Sequence, residues 1–364
     1  MMTPPNPEML THSQKLIQII AKTITQKGAI SFADYMQMTL YYPGLGYYSA
    51  GTTKFGREGD FITAPELSPL FSYTLANYIA STFKTLPKEN NLLEFGAGSG
   101  TMAADILIRL GNLGSLPTRY FILEVSADLR ARQATTIQQK CPELMPLVSW
   151  LDTLPTKFDG IMLANEVLDA MPVHLCYWNN NLLQERYVDW QNNSFCWIDK
   201  PLSTPQLHDY LQPYLSDLEG PYLLEVNLAS EAWLQSLATC QRTGELLLVD
   251  YGFSDTIFYH PQRYMGTLMC HYQHTAHDNP FWWPGLQDIT THVNFSGLGR
   301  TAVAAGFIVE EYDTQANFLL KHGLLSLAEH EDIATQYTLG QALKQLLLPT
   351  EMGELFKVMR LRKK

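Results

Sequence analysis

One glycine-rich segment, LLEFGAGSGTMAADIL at residues 92–107, constrains the fold more than any other part of the chain. An apolar run typical of a buried strand leads through Glu94, Gly96, Gly98 and Gly100 into a helical pattern. Glycine lets a ligand approach the backbone closely, and the first turn of a helix offers free N–H donors. The segment therefore predicts a strand–loop–helix unit that binds a ligand at the carboxyl end of the strand.

The spacing of these glycines distinguishes between two kinds of nucleotide cofactor. A dinucleotide loop of the GxGxxG type would have glycine at position 101, where this chain has Thr101. The pattern ExGxGxG is instead typical of Rossmann-like domains that bind S-adenosylmethionine. We expect four residues to line such a site: Glu94, Gly96, Gly98 and Gly100. The alternative is a purely structural turn.

Short apolar runs separated by helical stretches continue to residue 251, as in an α/β domain with a largely parallel sheet. The predicted strands are 91–95, 119–125, 147–150, 160–165 and 245–251, and helices are predicted from Thr101 and over 127–140. Three more runs, at 174–178, 182–190 and 194–198, alternate around Asn-rich turns. These runs predict an antiparallel β insertion.

The expected organisation has two parts. Residues 1–90 form a helical N-terminal part that covers the cleft, and residues 91–364 form the Rossmann-like α/β domain. Within that domain we place the antiparallel insertion at about 173–220 and a substrate-side segment at about 255–300. Near the end of the chain, residues 306–312 and 317–323 predict a closing hairpin, and the basic tail 360–364 predicts a solvated end.

Polar residues follow three more of the predicted strands. Glu124 can accept hydrogen bonds from both ribose hydroxyls, and Asp152 is a candidate for contact with the adenine amino group. Asn165, Glu166 and Asp169 follow the fourth strand, where a methyl donor would face its acceptor. Solvated carboxylates and helix caps are the alternatives. The carboxyl ends of parallel strands therefore predict one site with a cofactor side and an acceptor side.

Composition excludes several classes of partner. Lys plus Arg number 25 against 36 Asp plus Glu, a net charge of −11, which has the wrong sign for a nucleic-acid-binding protein. No apolar run approaches the roughly 20 residues of a membrane span, so membrane insertion is not expected. The five cysteines form no CxxC pair, and no leader is evident at the N-terminus. We expect a reducing, cytoplasmic location.

Histidines and aromatic residues suggest further candidates. His271, His274 and His277 invite a metal site, but nearby Gly and Pro residues disfavour a regular helix, so we expect no metal. His292, in the segment THVNF, is expected to meet the acceptor or shape its pocket, with a packed polar loop as the alternative. Five aromatic residues are candidates for the wall of a pocket that binds a cation or adenine: Tyr47, Tyr48, Phe61, Trp282 and Trp283. The alternative is that they belong to the core.

Taken together, these segments resemble the MidA-type methyltransferases, a family that includes a mitochondrial complex I assembly factor acting as a protein arginine methyltransferase. The resemblance runs from ISFADYMQMTLYYPGLGYYS through GDFITAPELSPLF, LLEFGAGSGTMAADIL, ANEVLDAMPV and LLLVDYGF to QDITTHVNF, and so covers nearly the whole chain. It implies a class I methyltransferase sheet of seven strands, one antiparallel, with S-adenosylmethionine as the cofactor. It also implies a helical N-terminal extension and an insertion that contributes to the acceptor site.

The resemblance also implies roles for individual residues. Gly96, Gly98 and Gly100 would line the cofactor, Glu124 would hold its ribose, and Asn165 with Glu166 would lie at the reaction centre. The implied partner is a protein that carries an acceptor arginine, with a respiratory-complex subunit among the candidates. A methyltransferase of small molecules and an assembly chaperone that binds S-adenosylmethionine are the alternatives.

Overall fold

A computed structural model describes residues 4–50, 63–86, 89–329 and 333–363. The α-helices follow in chain order: α1 (Pro7–Lys27), α2 (Phe32–Tyr41), α3 (Ala64–Leu67), α4 (Pro69–Phe83), α5 (Thr101–Asn112), α6 (Ala127–Lys140), α7 (Pro205–Leu215), α8 (Leu228–Cys240), α9 (Asp255–Phe258), α10 (Phe295–Ala304), α11 (Gln315–Lys321), α12 (Leu324–Ala328), α13 (Ile333–Leu347) and α14 (Met352–Leu355). The β-strands are β1 (Ile30–Ser31), β2 (Asn91–Phe95), β3 (Arg119–Leu123), β4 (Val148–Leu151), β5 (Phe158–Asn165), β6 (His174–Asn179), β7 (Leu182–Gln191), β8 (Ser194–Lys200), β9 (Tyr222–Val226), β10 (Gln241–Phe253), β11 (Met269–Tyr272), β12 (Thr275–His277), β13 (Asp288–Thr290), β14 (Val293–Asn294), β15 (Phe307–Thr314) and β16 (Phe356–Lys363).

The described residues divide into two compact units. The first contains those before residue 53 together with Asp169–Ala232 and Ser254–Asn294, and the second contains those of 53–168 together with Trp233–Phe253 and the chain from 295 onward. This division groups α3 and α4 with the sheet of the second unit, whereas the sequence grouped them with an N-terminal part ending at residue 90. The physical reason is packing, because Leu75 and Ile79 of α4 share one buried core with Leu92 of β2.

The second unit is built around a mostly parallel sheet. Along the sheet the described strands run β15-β16-β10-β5-β2-β3-β4. The five strands from β10 to β4 in this order are parallel to one another. Strand β16 is antiparallel to both β10 and β15. The direction of strand succession reverses at β2, which is buried along its whole length between β3 and β5. Ligands of open α/β sheets bind outside the carboxyl ends of the strands at such a reversal.

Local sequence explains why α4, α5 and α6 begin where they do. Helix α4 starts after Ser68, whose side chain accepts a hydrogen bond from Leu70 N at 3.2 Å. Helix α6 starts after Ser126, whose side chain accepts from Leu129 N at 3.4 Å. Helix α5 follows Gly100, which has a φ of 85° that glycine adopts without strain. Predicted strands 91–95, 119–125, 147–150, 160–165 and 245–251 are confirmed as β2, β3, β4, β5 and β10.

The end of the chain differs from the sequence prediction. The predicted hairpin of 306–312 and 317–323 is wrong, because β15 is followed by helix α11 and pairs instead with β16. The basic tail is also not simply solvated, since Leu361 is fully buried and Arg360 Nε lies 2.8 Å from Glu311 Oε2. Apolar and basic residues alternate here, so one face of the strand packs on the core while the other forms ion pairs.

The first unit contains smaller antiparallel sheets. One has the strand order β1-β7-β6-β9, with β8 paired to β7. The turns between β6 and β7 and between β7 and β8 each hold two asparagines with φ between 50° and 59°, which suits tight hairpins. Another sheet pairs β11 with β12 and β13, so the three histidines lie on or beside a hairpin. Among the described residues, no group of three or more His, Cys, Asp or Glu residues could hold a metal ion.

A search of the described helices for one long and apolar enough to cross a membrane found none.

Candidate active site

The loop after β2 contains three glycines in left-handed backbone conformations. Gly96, Gly98 and Gly100 have φ values of 61°, 53° and 85°, where a Cβ atom would strain the chain. A Cβ built on Gly98 would meet no atom of the described residues within 4 Å, whereas one on Gly100 would lie 2.8 Å from Gln133 Cα. Gly100 is therefore required for the packing of α6, and Gly98 leaves open space in front of its backbone.

Glu94 lies in β2 just before this loop and is 1% exposed. Its Oε2 accepts a hydrogen bond from the hydroxyl of Tyr120 at 2.7 Å, while its buried Oε1 accepts none from the described residues. Burial raises the pKa of Glu94 to about 7; the charge of Glu124 adds to the rise and the Tyr120 hydrogen bond opposes it. The end of β2 thus presents a buried acceptor oxygen.

Glu124 directly follows β3 and is 6% exposed. Its Oε1 accepts from Ser126 N at 2.9 Å, and its Oε2 accepts from Gln133 Nε2 at 3.1 Å. Burial raises the pKa of this carboxyl, although the hydrogen bonds from Ser126 and Gln133 oppose the shift. Because each carboxylate oxygen can accept more than one hydrogen bond, Glu124 keeps capacity for two ligand hydroxyls.

Asp152 follows β4, as expected, but its side chain is 87% exposed and pairs with Arg130, whose Nη1 lies 2.7 Å from Asp152 Oδ1. Arg130 also donates to the backbone oxygens of Glu124 at 2.6 Å and Leu151 at 2.7 Å. This arginine therefore joins the carboxyl ends of β3 and β4. The contact of Asp152 with adenine stays a prediction.

The loop after β5 places a glutamate on left-handed backbone, whereas the left-handed positions of the loop after β2 are all glycine. Asn165 ends the strand, and its Nδ2 donates to Glu166 Oε1 at 3.1 Å, while its buried Oδ1 accepts no hydrogen bond from the part of the chain that the structure describes. Glu166 has a φ of 52°, which costs a residue with a side chain about 1–2 kcal/mol. Glu166 N donates to Val249 O, and Leu168 N donates to Asp250 Oδ2, both at 2.9 Å. Strand β10 therefore fixes the loop.

Asp169 and His292 belong to the first unit. Asp169 is buried, and its backbone oxygen accepts from Thr291 N at 3.0 Å, next to His292. His292 N in turn donates to Thr267 Oγ1 at 3.0 Å. The structure thus brings Asp169 and the segment that carries His292 together within this unit, and the roles of both side chains stay predictions.

The aromatic candidates differ in burial and in the residues that they contact. Tyr47 is 1% exposed, and the hydroxyl of Tyr48 donates to Asp288 at 2.9 Å. Trp283 packs against Tyr272 with ring centroids 4.9 Å apart, whereas Trp282 is exposed. Phe61 lies outside the described residues. Tyr47 therefore belongs to the core of the first unit.

Three residues that shape this site were not predicted from the sequence: Arg130, Gln133 and Asp250. Gln133 precedes the buried Ile137 by four residues on α6, so a polar residue at a core position was the available signal. Asp250 stands near the end of β10 and resembles the other strand-end acids in that respect. Arg130 gave no such signal, because its partners are backbone oxygens that only the fold brings near.

The groups gathered at these strand ends suit S-adenosylmethionine. Its ammonium and sulfonium are positive, and the buried oxygens of Glu94 and Asn165 are acceptors without a partner among the described residues. Its ribose offers two hydroxyls, which Glu124 can accept. The open space at Gly98 allows close approach to the backbone. The donor and acceptor chemistry of the site therefore fits this cofactor.

Comparison with known proteins decides the family. A family model described as an S-adenosyl-L-methionine-dependent methyltransferase matches residues 74–312. The chain belongs to this methyltransferase family. The enzyme therefore uses S-adenosylmethionine, and both the resemblance to MidA-type methyltransferases and the α/β methyltransferase fold are confirmed.

Individual relatives are similar over most of their length. The mouse mitochondrial protein arginine methyltransferase NDUFAF7 is 30% identical, with 92% of this chain and 81% of the mouse protein covered. The rat protein of the same name is 29% identical, with 96% and 85% covered. A Burkholderia thailandensis protein crystallised with bound S-adenosylhomocysteine is 39% identical with a TM-score of 0.96, covering 100% of this chain and 95% of that one.

These relatives correct the expected location. The names of the mouse and rat relatives place those proteins in mitochondria, so the cytoplasmic assignment of the methyltransferase was wrong. The assignment rested on the spacing of the cysteines and on the first residues of the chain. Cysteine spacing reports on disulfide formation and does not distinguish one reducing compartment from another.

Proposed function

We propose that this methyltransferase transfers the methyl group of S-adenosylmethionine to the guanidinium of an arginine in a protein. The observation that carries the proposal is the conformation of Glu166. This residue keeps a carboxylate at a strand end although its φ of 52° favours glycine. The names of the mouse and rat relatives, protein arginine methyltransferases similar over most of their length, support the same acceptor.

The chemistry of the acceptor explains why a carboxylate is useful here. S-adenosylmethionine supplies a methyl group made electrophilic by the adjacent sulfonium. A guanidinium nitrogen would take this methyl group as the carbon–sulfur bond breaks, S-adenosylhomocysteine would leave with the bonding electron pair, and the nitrogen would release one proton to solvent. Glu166 would bind the guanidinium through charge-assisted hydrogen bonds and hold its nitrogen in line with the methyl carbon. Asn165 would orient Glu166 through the hydrogen bond between their side chains.

The remaining side chains would hold the cofactor. Backbone groups of Gly96, Gly98 and Gly100 would line it, and Glu124 would accept its ribose hydroxyls. Glu94 and Asn165 would offer buried oxygens to its positive groups, and Asp152 would contact the adenine amino group. In the first unit, Asp169, His292, the antiparallel insertion and the substrate-side segment remain predicted contributors to acceptor binding, as does the helical N-terminal part over the cleft. A respiratory-complex subunit remains one candidate acceptor.

The test uses S-adenosylmethionine carrying a labelled methyl group. The purified protein is incubated with this cofactor and a cell lysate, and labelled proteins are hydrolysed in acid and separated by chromatography. Label in methylarginine supports the proposal. Label confined to small metabolites would show a small-molecule acceptor. Binding of S-adenosylhomocysteine without any transfer would favour the assembly chaperone.

A further inference from the structure

A buried glutamine links the ends of three neighbouring strands at the cofactor side of the sheet. Gln133 lies on α6 and is 0% exposed. Its Nε2 donates to Gly98 O in the loop after β2 at 3.2 Å and to Glu124 Oε2 after β3 at 3.1 Å. Its Oε1 accepts from the indole nitrogen of Trp150, in β4, at 2.8 Å. One amide therefore contacts the glycine loop, the proposed ribose ligand and a third strand.

The indole determines which way this amide points. A tryptophan side chain is only a donor, so Trp150 must face the carbonyl oxygen of Gln133. The amide nitrogen then faces the opposite side, where its two hydrogens meet two acceptors, Gly98 O and Glu124 Oε2. Both donors and one lone pair of the amide are used, so the amide has one orientation, with its nitrogen facing Gly98 O and Glu124 Oε2.

The backbone of Gln133 also limits the glycine loop. A Cβ on Gly100 would lie 2.8 Å from Gln133 Cα and 3.1 Å from Gln133 O. The loop therefore packs directly on the turn of α6 that carries the amide. A shift of this turn would move Gly98 and Glu124 together, because the same side chain bonds to both.

We infer that Gln133 is a positioning residue for the cofactor, which sets Glu124 and the Gly98 loop so that the two ribose hydroxyls are recognised. The inference rests on the proposed role of Glu124 as the ribose ligand. A residue that only filled the core would need no such set of partners, since a methionine of similar length would occupy the same space. Recognition of the ribose, and not affinity alone, is the property that Gln133 controls.

The test compares two ligands, S-adenosylhomocysteine and its 2′-deoxyribose counterpart, by isothermal titration calorimetry. The wild-type protein should prefer the ribose form by about 10- to 100-fold, the range for one hydrogen bond to a charged group. Gln133→Met should reduce this preference to about threefold or less, because Glu124 loses the donor that orients it. The matched control Gln138→Met, at an exposed position of the same helix, should keep the full preference.

Two more variants separate the possible failures. Trp150→Phe leaves Gln133 in place but removes the donor that orients it, so the preference should fall by a smaller factor even if Gln133→Met does not fold. Glu124→Gln should also lose the preference, and the double variant with Gln133→Met should be no worse. The inference about Gln133 would be overturned if Glu124→Gln loses the ribose preference while Trp150→Phe and folded Gln133→Met both keep it. The proposed ribose role of Glu124 would survive that result. A full preference in Glu124→Gln would remove the ribose role of Glu124 and the inference with it.

Discussion

Two loops at the same edge of the sheet adopt left-handed backbone with opposite choices of residue. The loop after β2 uses Gly96, Gly98 and Gly100, and the loop after β5 uses Glu166 with a φ of 52°. Strands β2 and β5 are parallel neighbours, so both loops leave the sheet at the same end. Glycine stands where a ligand needs to approach the backbone, and a strained glutamate is kept where a side chain is needed. The difference therefore matches the proposed division between cofactor binding at the loop after β2 and acceptor binding at the loop after β5.

The two loops are also held in different ways. A side chain of helix α6, Gln133, donates to the glycine loop at Gly98 O. The loop after β5 is held by strand β10, through Val249 O and the carboxylate of Asp250. A disturbance of α6 should therefore affect cofactor binding, whereas a disturbance of β10 should affect the acceptor side.

The largest effect is expected at Glu166. Glu166→Gln keeps the size of the side chain but removes its charge, so methyl transfer to the protein acceptor should fall by about 10²- to 10³-fold, as when one preorganised electrostatic contact is lost. The affinity for S-adenosylhomocysteine should change by about threefold or less. Turnover and calorimetric binding are measured on one preparation, with the exposed Glu143→Gln as the control. An unchanged turnover would remove Glu166 from the reaction centre.

Within the glycine loop, Gly100→Ala should be more harmful to folding than Gly98→Ala. Both substitutions put a Cβ on left-handed backbone, which costs about 1–2 kcal/mol, but only the Cβ at position 100 would lie 2.8 Å from Gln133 Cα. We expect the free energy of unfolding to fall by about 3 kcal/mol for Gly100→Ala and about 1 kcal/mol for Gly98→Ala. Urea unfolding measures both, and equal losses would contradict the close packing of α6 on the loop.

The strand before the glycine loop should make stability depend on pH. Folding raises the pKa of Glu94 from 4.5 to about 7, so the folded protein binds this proton more tightly than the unfolded chain. The contribution is fully present below about pH 4.5 and is lost as the pH rises through 7. From pH 5 to pH 8, wild type should lose on the order of 2 kcal/mol more than Glu94→Gln. Parallel curves for the two proteins would show that Glu94 does not titrate in this range.

The smallest effect concerns the strain at Glu166 itself. Glu166→Ala and Glu166→Gly both remove the carboxylate, but only alanine keeps a Cβ on left-handed backbone. The glycine variant should therefore be more stable than the alanine variant by about 1 kcal/mol in urea unfolding. In an ordinary loop the order is reversed, because glycine has more conformational freedom to lose. A more stable alanine variant would show that the loop relaxes and that the strain is absent.

Much of this edge of the sheet could be predicted from the sequence because its signals are local. Helix α6 begins and ends where the periodicity placed it, at residues 127 and 140. The five central strands were recognised as apolar runs, and Glu94, Glu124 and Asn165 were found because each lies at or just beyond the carboxyl end of a strand. Signals of this kind depend on neighbouring residues and need no knowledge of the pairing.

Features that depend on distant partners were missed. The last strand, β16, alternates apolar and basic residues over few positions, and only its pairing with β10 and β15 gives it a structure. The orientation of Gln133 likewise depends on Trp150, which is 17 residues away. The strain at Glu166 has no sequence signal, because glutamate is not a residue that marks left-handed backbone.

Cofactor binding at the glycine loop is tested most directly by titrating wild type, Gly98→Val and Gly114→Val with S-adenosylhomocysteine. Gly114 is the matched control, since it also has a positive φ, 62°, and a Cβ added there would meet no atom of the described chain within 4 Å. It lies beyond the end of α5, away from the glycine loop in the sequence. At a hundredfold excess of ligand over its dissociation constant, wild type and Gly114→Val should each gain about 2.7 kcal/mol of stability. Gly98→Val should gain nothing, because its side chain fills the space in front of the loop. A gain in Gly98→Val equal to that of wild type would contradict a cofactor site at this loop.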